Sequence, residues 1–170
     1  MKKSVLKVQM FGAYSIEYEG KPISFERNTA TKTNQLMQIL LQAGEKGVAR
    51  AKLLSDLFGN EEMSNPANSL RATVFRLRRL LAAAGLPEDE YVTIKGGSYY
   101  WTSEIPYELD AHQFEELLKK AEKENDLEKK KSYIEEACEL YRGEFLPQLG
   151  AEEWAVVLNV YYKNLFSNAM

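Results

Sequence analysis

The first twenty residues alternate between apolar and polar positions. Leu6, Val8 and Met10, then Tyr14, Ile16 and Tyr18, recur at every second place, the period of a half-buried strand. Val5 to Met10 and Tyr14 to Tyr18 are therefore predicted strands, with Glu19-Gly20 as a tight turn and Ile23 and Phe25 as a third short strand. The period then lengthens. Leu36, Ile39, Leu40 and Ala43 share one face of a helix from about 31 to 43 that Gly44 stops, and Leu53, Leu54 and Leu57 mark a second from about 50 to 58, stopped by Gly59. A third and longer helix is predicted for 66–84, ending before Gly85-Leu86-Pro87. At ~100° per residue, its Leu70, Val74, Leu77 and Leu81 fall within about 60° of one another, a narrow stripe for a core. After Pro87, the stretch YVTIKGGSYYWTS reads as two strands about a turn at Gly96-Gly97, a hairpin over about 91–102. From Asp110 the chain is helical and polar. Asp110 with Gln113 has the spacing of a capping box for a helix to about Glu124. Asp126 opens a second helix running to Tyr141, and a third follows Pro147 with Trp154, Val157, Leu158, Tyr161 and Leu165 as its core stripe. That last helix also carries Val156, Val160, Tyr162 and Phe166 off the stripe.

Charge divides the chain where the pattern does. Residues 1–102 hold 14 Lys+Arg against 10 Asp+Glu, and residues 103–170 hold 8 against 15, so a basic segment precedes an acidic one in a chain of net charge −3. The asymmetry predicts two modules, 1–103 and 107–170, with different partners. Within the first, residues 68–84 read NSLRATVFRLRRLLAAA, and no Asp or Glu occurs from Met63 to Pro87. Opposite the apolar stripe lie Asn68, Ala72, Phe75, Arg76 and Arg79, flanked by Arg71 and Arg78. A solvated helix face ordinarily mixes signs, because i,i+4 pairs add a few tenths of a kcal/mol each. This face gives up that gain along its length, which points to an anionic partner. The arginine fork suits both phosphate and the O6/N7 edge of guanine, and a residue as small as Ala72 admits close approach to base edges. Lys95-Gly96-Gly97-Ser98 is not a phosphate-cradling loop, because a strand rather than a helix follows it.

The order of strands, two helices, a long basic helix with RLRRLL and a hairpin with GGSYYW resembles the OmpR-type winged-helix DNA-binding domain. The stretches LKVQMFGAYSIEYEGKPI, NSLRATVFRLRRLL, IKGGSYYW, ELDAHQFEELLKKA and LYRGEFLPQL further resemble the SARP-type bacterial transcriptional regulators, over nearly the whole chain. The resemblance implies an α+β fold: an OmpR-like winged helix (short antiparallel sheet, three helices, C-terminal hairpin wing) followed by a helical, TPR-like bacterial activator domain. It implies that the helix at 66–84 enters the major groove, with the wing reaching the adjacent backbone or minor groove. Carried over by position, Asn68, Ala72, Arg76 and Arg71 face bases, Thr73, Phe75, Arg79 and Lys95 lie near phosphates, and Lys32 is a candidate contact from the first helix. Phe75 is out of place in an arginine-rich face: a thymine methyl, a sugar or the underside of the wing would each accommodate it. Ser98 stands where related wings often carry a second glycine, and Ala49 where a capping serine is common, a loss of about 1 kcal/mol. The implied partners are double-stranded DNA, RNA polymerase or other transcription machinery, and a second copy of the chain on direct repeats.

The acidic module holds about one and a half units of a helical array that needs about three to bury its faces. It is expected to continue in a longer protein or to dimerise, and to make protein contacts. Lys129, Lys130 and Lys131 sit among carboxylates and read as a solvated face. With one histidine, His112, expected on the surface, and one cysteine, Cys138, expected in the core, neither a metal site nor a nucleophile–base pair is expected. No enzymatic activity and no cofactor are expected. No apolar run approaches the ~18–20 residues of a membrane span, and the start lacks a signal peptide's apolar core, so a cytoplasmic location is expected. The alternative function is a helical protein-interaction adaptor whose winged helix does not bind DNA. RNA binding lacks an aromatic platform on a sheet.

Overall fold

The computed structural model describes residues 4–24, 30–59, 61 and 64–170. The elements run β1 (Leu6–Gln9), β2 (Ser15–Tyr18), β3 (Lys21–Ile23), α1 (Lys32–Ala43), β4 (Val48–Ala49), α2 (Arg50–Phe58), α3 (Pro66–Ala83), β5 (Val92–Lys95), β6 (Ser98–Trp101), β7 (Tyr107–Leu109), α4 (Asp110–Lys123), α5 (Leu127–Leu140) and α6 (Glu153–Ala169). The class is mixed α+β. Phe25, expected in the third strand, lies outside the described residues.

The chain forms two compact units, and a segment near the start of the sequence groups with the C-terminal one. Tyr18–Pro106, with Ser4, forms one, and Val5–Glu17 joins Tyr107–Met170 in the other. The physical reason lies in backbone pairing. β1 runs parallel to β7, with Leu6, Val8 and their neighbours in register with Tyr107–Leu109, a long-range ladder that the expected antiparallel N-terminal sheet did not include.

In the first unit, Thr31 caps α1 by accepting from the Asn34 amide, and Gly44 closes it at φ 65°. Leu36, Met37, Leu40 and Leu41 are fully buried, and α1 packs against α3, α2 and β6. Ala49 precedes α2 and offers no side-chain cap, as its sequence implies. Gly97 replaces the cap, because its carbonyl accepts from the Arg50 amide at 3.1 Å. β4, β6 and β5 form a small sheet in that order. Gly47 sits before β4 at φ 68°, and a Cβ there would meet the Tyr100 ring at 2.3 Å, so only glycine fits.

The second unit is built around an aromatic cluster. Phe11 lies 5.4 Å from Phe114, 4.9 Å from Tyr141 and 5.2 Å from Tyr162, mostly edge to face. Asp110 departs from the expected capping box. It is buried, and its carboxylate accepts from the amides of Met10, Phe11 and Ala111 at 2.8–3.0 Å, so it ties α4 to the end of β1 rather than closing a box with Gln113. Burial raises its pKa, against the lowering effect of those three amides and of Arg142. Asp126 caps α5 by accepting from the Glu128 and Lys129 amides.

The core stripe of α6 is rotated from the expected one. Trp154, Ala155 and Tyr162 are buried and Leu158, Leu165 and Phe166 half-buried, whereas Val157 and Tyr161 are exposed. Tyr162 and Phe166, expected off the stripe, are on it, and the Phe166 ring stacks on Tyr141 at 4.3 Å. Apolar residues all round the helix left its phase open in the sequence; the Phe11 cluster selects the face that can stack rings. Cys138, expected in the core, is half-buried beside fully buried Ala137, and His112 is half-buried near the Tyr107 ring.

Candidate nucleic-acid interface

α3 begins at Asn65, whose side chain accepts from the Asn68 amide, with Pro66 in the first turn. Pro66 lacks the amide that a first turn leaves without a partner, and its φ is already helical. The expected stripe is the buried one: Leu70, Val74, Leu77 and Leu81 are each 3% exposed or less. Thr73 joins them. Its hydroxyl donates to the Ser69 carbonyl at 2.7 Å, so the structure withdraws this residue from the outward face.

The outward face carries Asn68, Arg71, Ala72, Phe75, Arg76, Arg78 and Arg79, all exposed. No acidic residue stands in its first turn. Phe75 is 62% exposed and does not pack under the hairpin, and the Arg79 guanidinium lies over its ring, 5.8 Å from the centroid. Two contacts fix the hairpin against this helix bundle. Arg78 Nη2 donates to the Val92 carbonyl at 3.0 Å, joining α3 to β5, and β6 pairs with β4 through Val48–Tyr99 and Ala49–Ser98. Sequence reasoning placed Arg78 beside the stripe but had no signal for its partner, because a backbone carbonyl leaves no mark in a side-chain pattern.

The hairpin registers Lys95 opposite Ser98, leaving a two-residue turn of Gly96 and Gly97 at φ 58° and 79°. Both residues need positive φ, so two glycines complete the turn and Ser98 is its first strand residue. Cβ atoms at either glycine would meet nothing within 4 Å, so the tip stands in open space. Lys95 is exposed there, and so is Ile94, a residue that the sequence did not single out. The carboxylates missing from α3 reappear at Glu88, Asp89 and Glu90, lining an open cleft of about 760 Å³ along the C-terminal turns of α3. Tyr91, at the same cleft, donates to the Pro87 carbonyl; burial, then Asp89 and Tyr18, push its pKa up to about 12.

Lys32 is held by its own partners at the start of α1. Its ammonium pairs with Glu61 at 2.8 Å, donates to the Leu57 carbonyl and lies over the Phe58 ring. Of the expected site residues, then, Asn68, Arg71, Ala72, Phe75, Arg76 and Arg79 share one exposed helix face, Lys95 stands on the hairpin, Thr73 is buried, and Lys32 is engaged at the start of α1.

A fold of this kind has known counterparts. Over 98% of its length the chain superposes on EmbR of Mycobacterium tuberculosis, solved in complex with a low-affinity phosphopeptide, at a TM-score of 0.77 and 16% identity, covering 44% of that chain. In sequence it is similar to protein RcaC of Microchaete diplosiphon, 28% identical over an alignment of 120 residues that covers 65% of this chain and 18% of RcaC. The chain thus spans less than half the length of either protein. No protein-family model matches it.

Proposed function

We propose that this chain binds double-stranded DNA in a sequence-specific manner and acts as a transcriptional regulator of SARP type. In this reading the first unit is an OmpR-like winged helix, with α3 in the major groove and the β5–β6 hairpin as its wing. The observation that carries it is the exposed, acid-free face of α3, where Arg71, Arg76 and Arg79 stand beside Asn68 and Ala72. Phosphate contacts would supply most of the affinity and its salt dependence, and base contacts the selectivity. Lys95 would meet the backbone beside the groove. Lys32, already paired with Glu61, would support the α1–α2 side of the surface more than touch DNA. The likeness of fold to EmbR and of sequence to RcaC supports the reading.

The second unit would be a TPR-like segment that contacts transcription machinery or a second copy, placing two helices on direct repeats. Support for a protein contact comes from α6, which leaves Val156, Val157, Val160 and Tyr161 at 40–61% exposure. The same observation favours the adaptor reading, in which protein contact is the whole function. The proposed role needs no cofactor, metal or catalytic residue, and its place of action is the cytoplasm. Among the described residues no helix is long and apolar enough to cross a membrane.

Fluorescence anisotropy with random-sequence duplex DNA at about 50 and about 200 mM salt separates the two readings. A DNA binder with several phosphate contacts loses orders of magnitude in affinity between those salts. The Arg76→Ala/Arg79→Ala variant binds weakly at both. Absence of binding by the folded protein at the lower salt would leave the adaptor.

A further inference from the structure

Phe75 is the residue of α3 that neither the core nor a charge argument explains. It is the most exposed aromatic among the large hydrophobic side chains described, on a helix whose apolar stripe is otherwise buried. Phenylalanine is a mediocre helix former, so helix propensity gives no reason for it at a solvent-facing position. Its surroundings are specific. Ala72, one turn earlier, is too short to cover the ring. Side chains on a helix lean toward its N-terminus. Arg79, one turn later, therefore leans back over Phe75, and its guanidinium stands 5.8 Å from the ring centroid.

Phosphate is a poor neighbour for this ring, whose face is the negative end of its quadrupole and which has no donor to offer. In the major groove the apolar feature at the edge of a base pair is the thymine 5-methyl, which takes contacts from Ala, Thr and Phe side chains. Resting on the proposed DNA-binding function, we infer that Phe75 is a specificity-determining residue that reads a thymine methyl, with Arg79 braced by the ring for a hydrogen bond to an adjacent base or phosphate. This moves Phe75 from the phosphate flank, where its position alone placed it, to the base-reading part of the face.

The test selects binding sites for the full chain from a random duplex pool, then replaces each thymine of the selected site in turn by deoxyuridine, which lacks only the methyl. For wild type, one replacement is expected to weaken binding about fourfold, the affinity equivalent of ~0.8 kcal/mol for one buried methyl. Phe75→Ala, checked for folding by circular dichroism, should be indifferent to that replacement, and Phe75→Leu should keep part of the dependence. If every deoxyuridine duplex binds wild type and Phe75→Ala in the same ratio, or if Phe75→Ala selects the same thymines, the ring does not read a methyl. Uniform weakening of Phe75→Ala on all duplexes would assign the ring to the sugar–phosphate backbone and overturn the inference alone. If no site can be selected because wild type binds no duplex even at low salt, the DNA-binding reading fails first, and the inference falls with it.

Discussion

The two longest helices of the chain pose the same problem and resolve it differently. α3 and α6 each bury one face and expose another. The exposed face of α3 is cationic, holding four exposed arginines and a single phenylalanine, whereas that of α6 is apolar, holding Val156, Val157, Val160 and Tyr161. A cationic face is stable in water alone and acquires a partner by long-range attraction that salt screens. An apolar face gains by being covered, with little dependence on salt. The difference teaches where each surface's selectivity would come from, and it makes the two helices separable by experiment.

The largest effect expected is on α6. Tyr162 is fully buried against Phe11 and Phe145, and Tyr161 beside it is 45% exposed. Tyr162→Ala should lower unfolding stability by about 3–5 kcal/mol, the cost of removing a buried aromatic. Tyr161→Ala should cost well under half of that in the same denaturant titration. Equal losses would mean that the face of α6 is assigned wrongly.

A smaller effect depends on pH. Burial raises the pKa of Asp110 in the folded state. A raised carboxyl pKa contributes stability that is fully present below the unfolded value of about 3.9 and is lost as pH rises through the folded value. The stability of wild type relative to Asp110→Asn should therefore fall as pH rises through that window in urea titrations. A difference that rises instead would mean that the three backbone amides outweigh desolvation.

Next comes Arg78. Removing its bond to the Val92 carbonyl by Arg78→Ala should cost about 1 kcal/mol and loosen the hairpin, seen as faster amide exchange at Val92–Trp101. Unchanged exchange would show that the β4–β6 pairing holds the hairpin by itself. The smallest effect is on the apolar face of α6, where Val157→Ser/Val160→Ser should change stability by no more than about 0.5 kcal/mol per site. The same pair should raise solubility or abolish self-association in sedimentation if that face meets a second copy. A large loss of stability would place these valines in a core.

Legibility followed the same contrast. Along α3, apolar residues occupy one face and cations the other, so Leu70, Val74, Leu77 and Leu81 could be set in the core from spacing alone, and they are. Along α6, apolar residues surround the helix, so spacing gave Val157 and Tyr161 to the core where the structure buries Ala155 and Tyr162. Thr73 shows the finer limit: a hydroxyl that bonds to the carbonyl of Ser69 one turn back can be buried at the stripe's edge, and residue type does not reveal it.

The sequence by itself determined α1 to α5 with their ends, the Gly96-Gly97 hairpin and the acid-free face of α3, because capping, glycine conformation and amphipathic period act within a few residues. The tertiary structure alone decided that β1 pairs with β7, that Asp110 reaches the Met10 and Phe11 amides, that Gly97 caps α2, and which face of α6 meets the aromatic cluster. Each of these joins backbone groups or rings far apart in the chain. A backbone amide or carbonyl is the same at nearly every residue, so its long-range partner leaves no signature in the order of side chains.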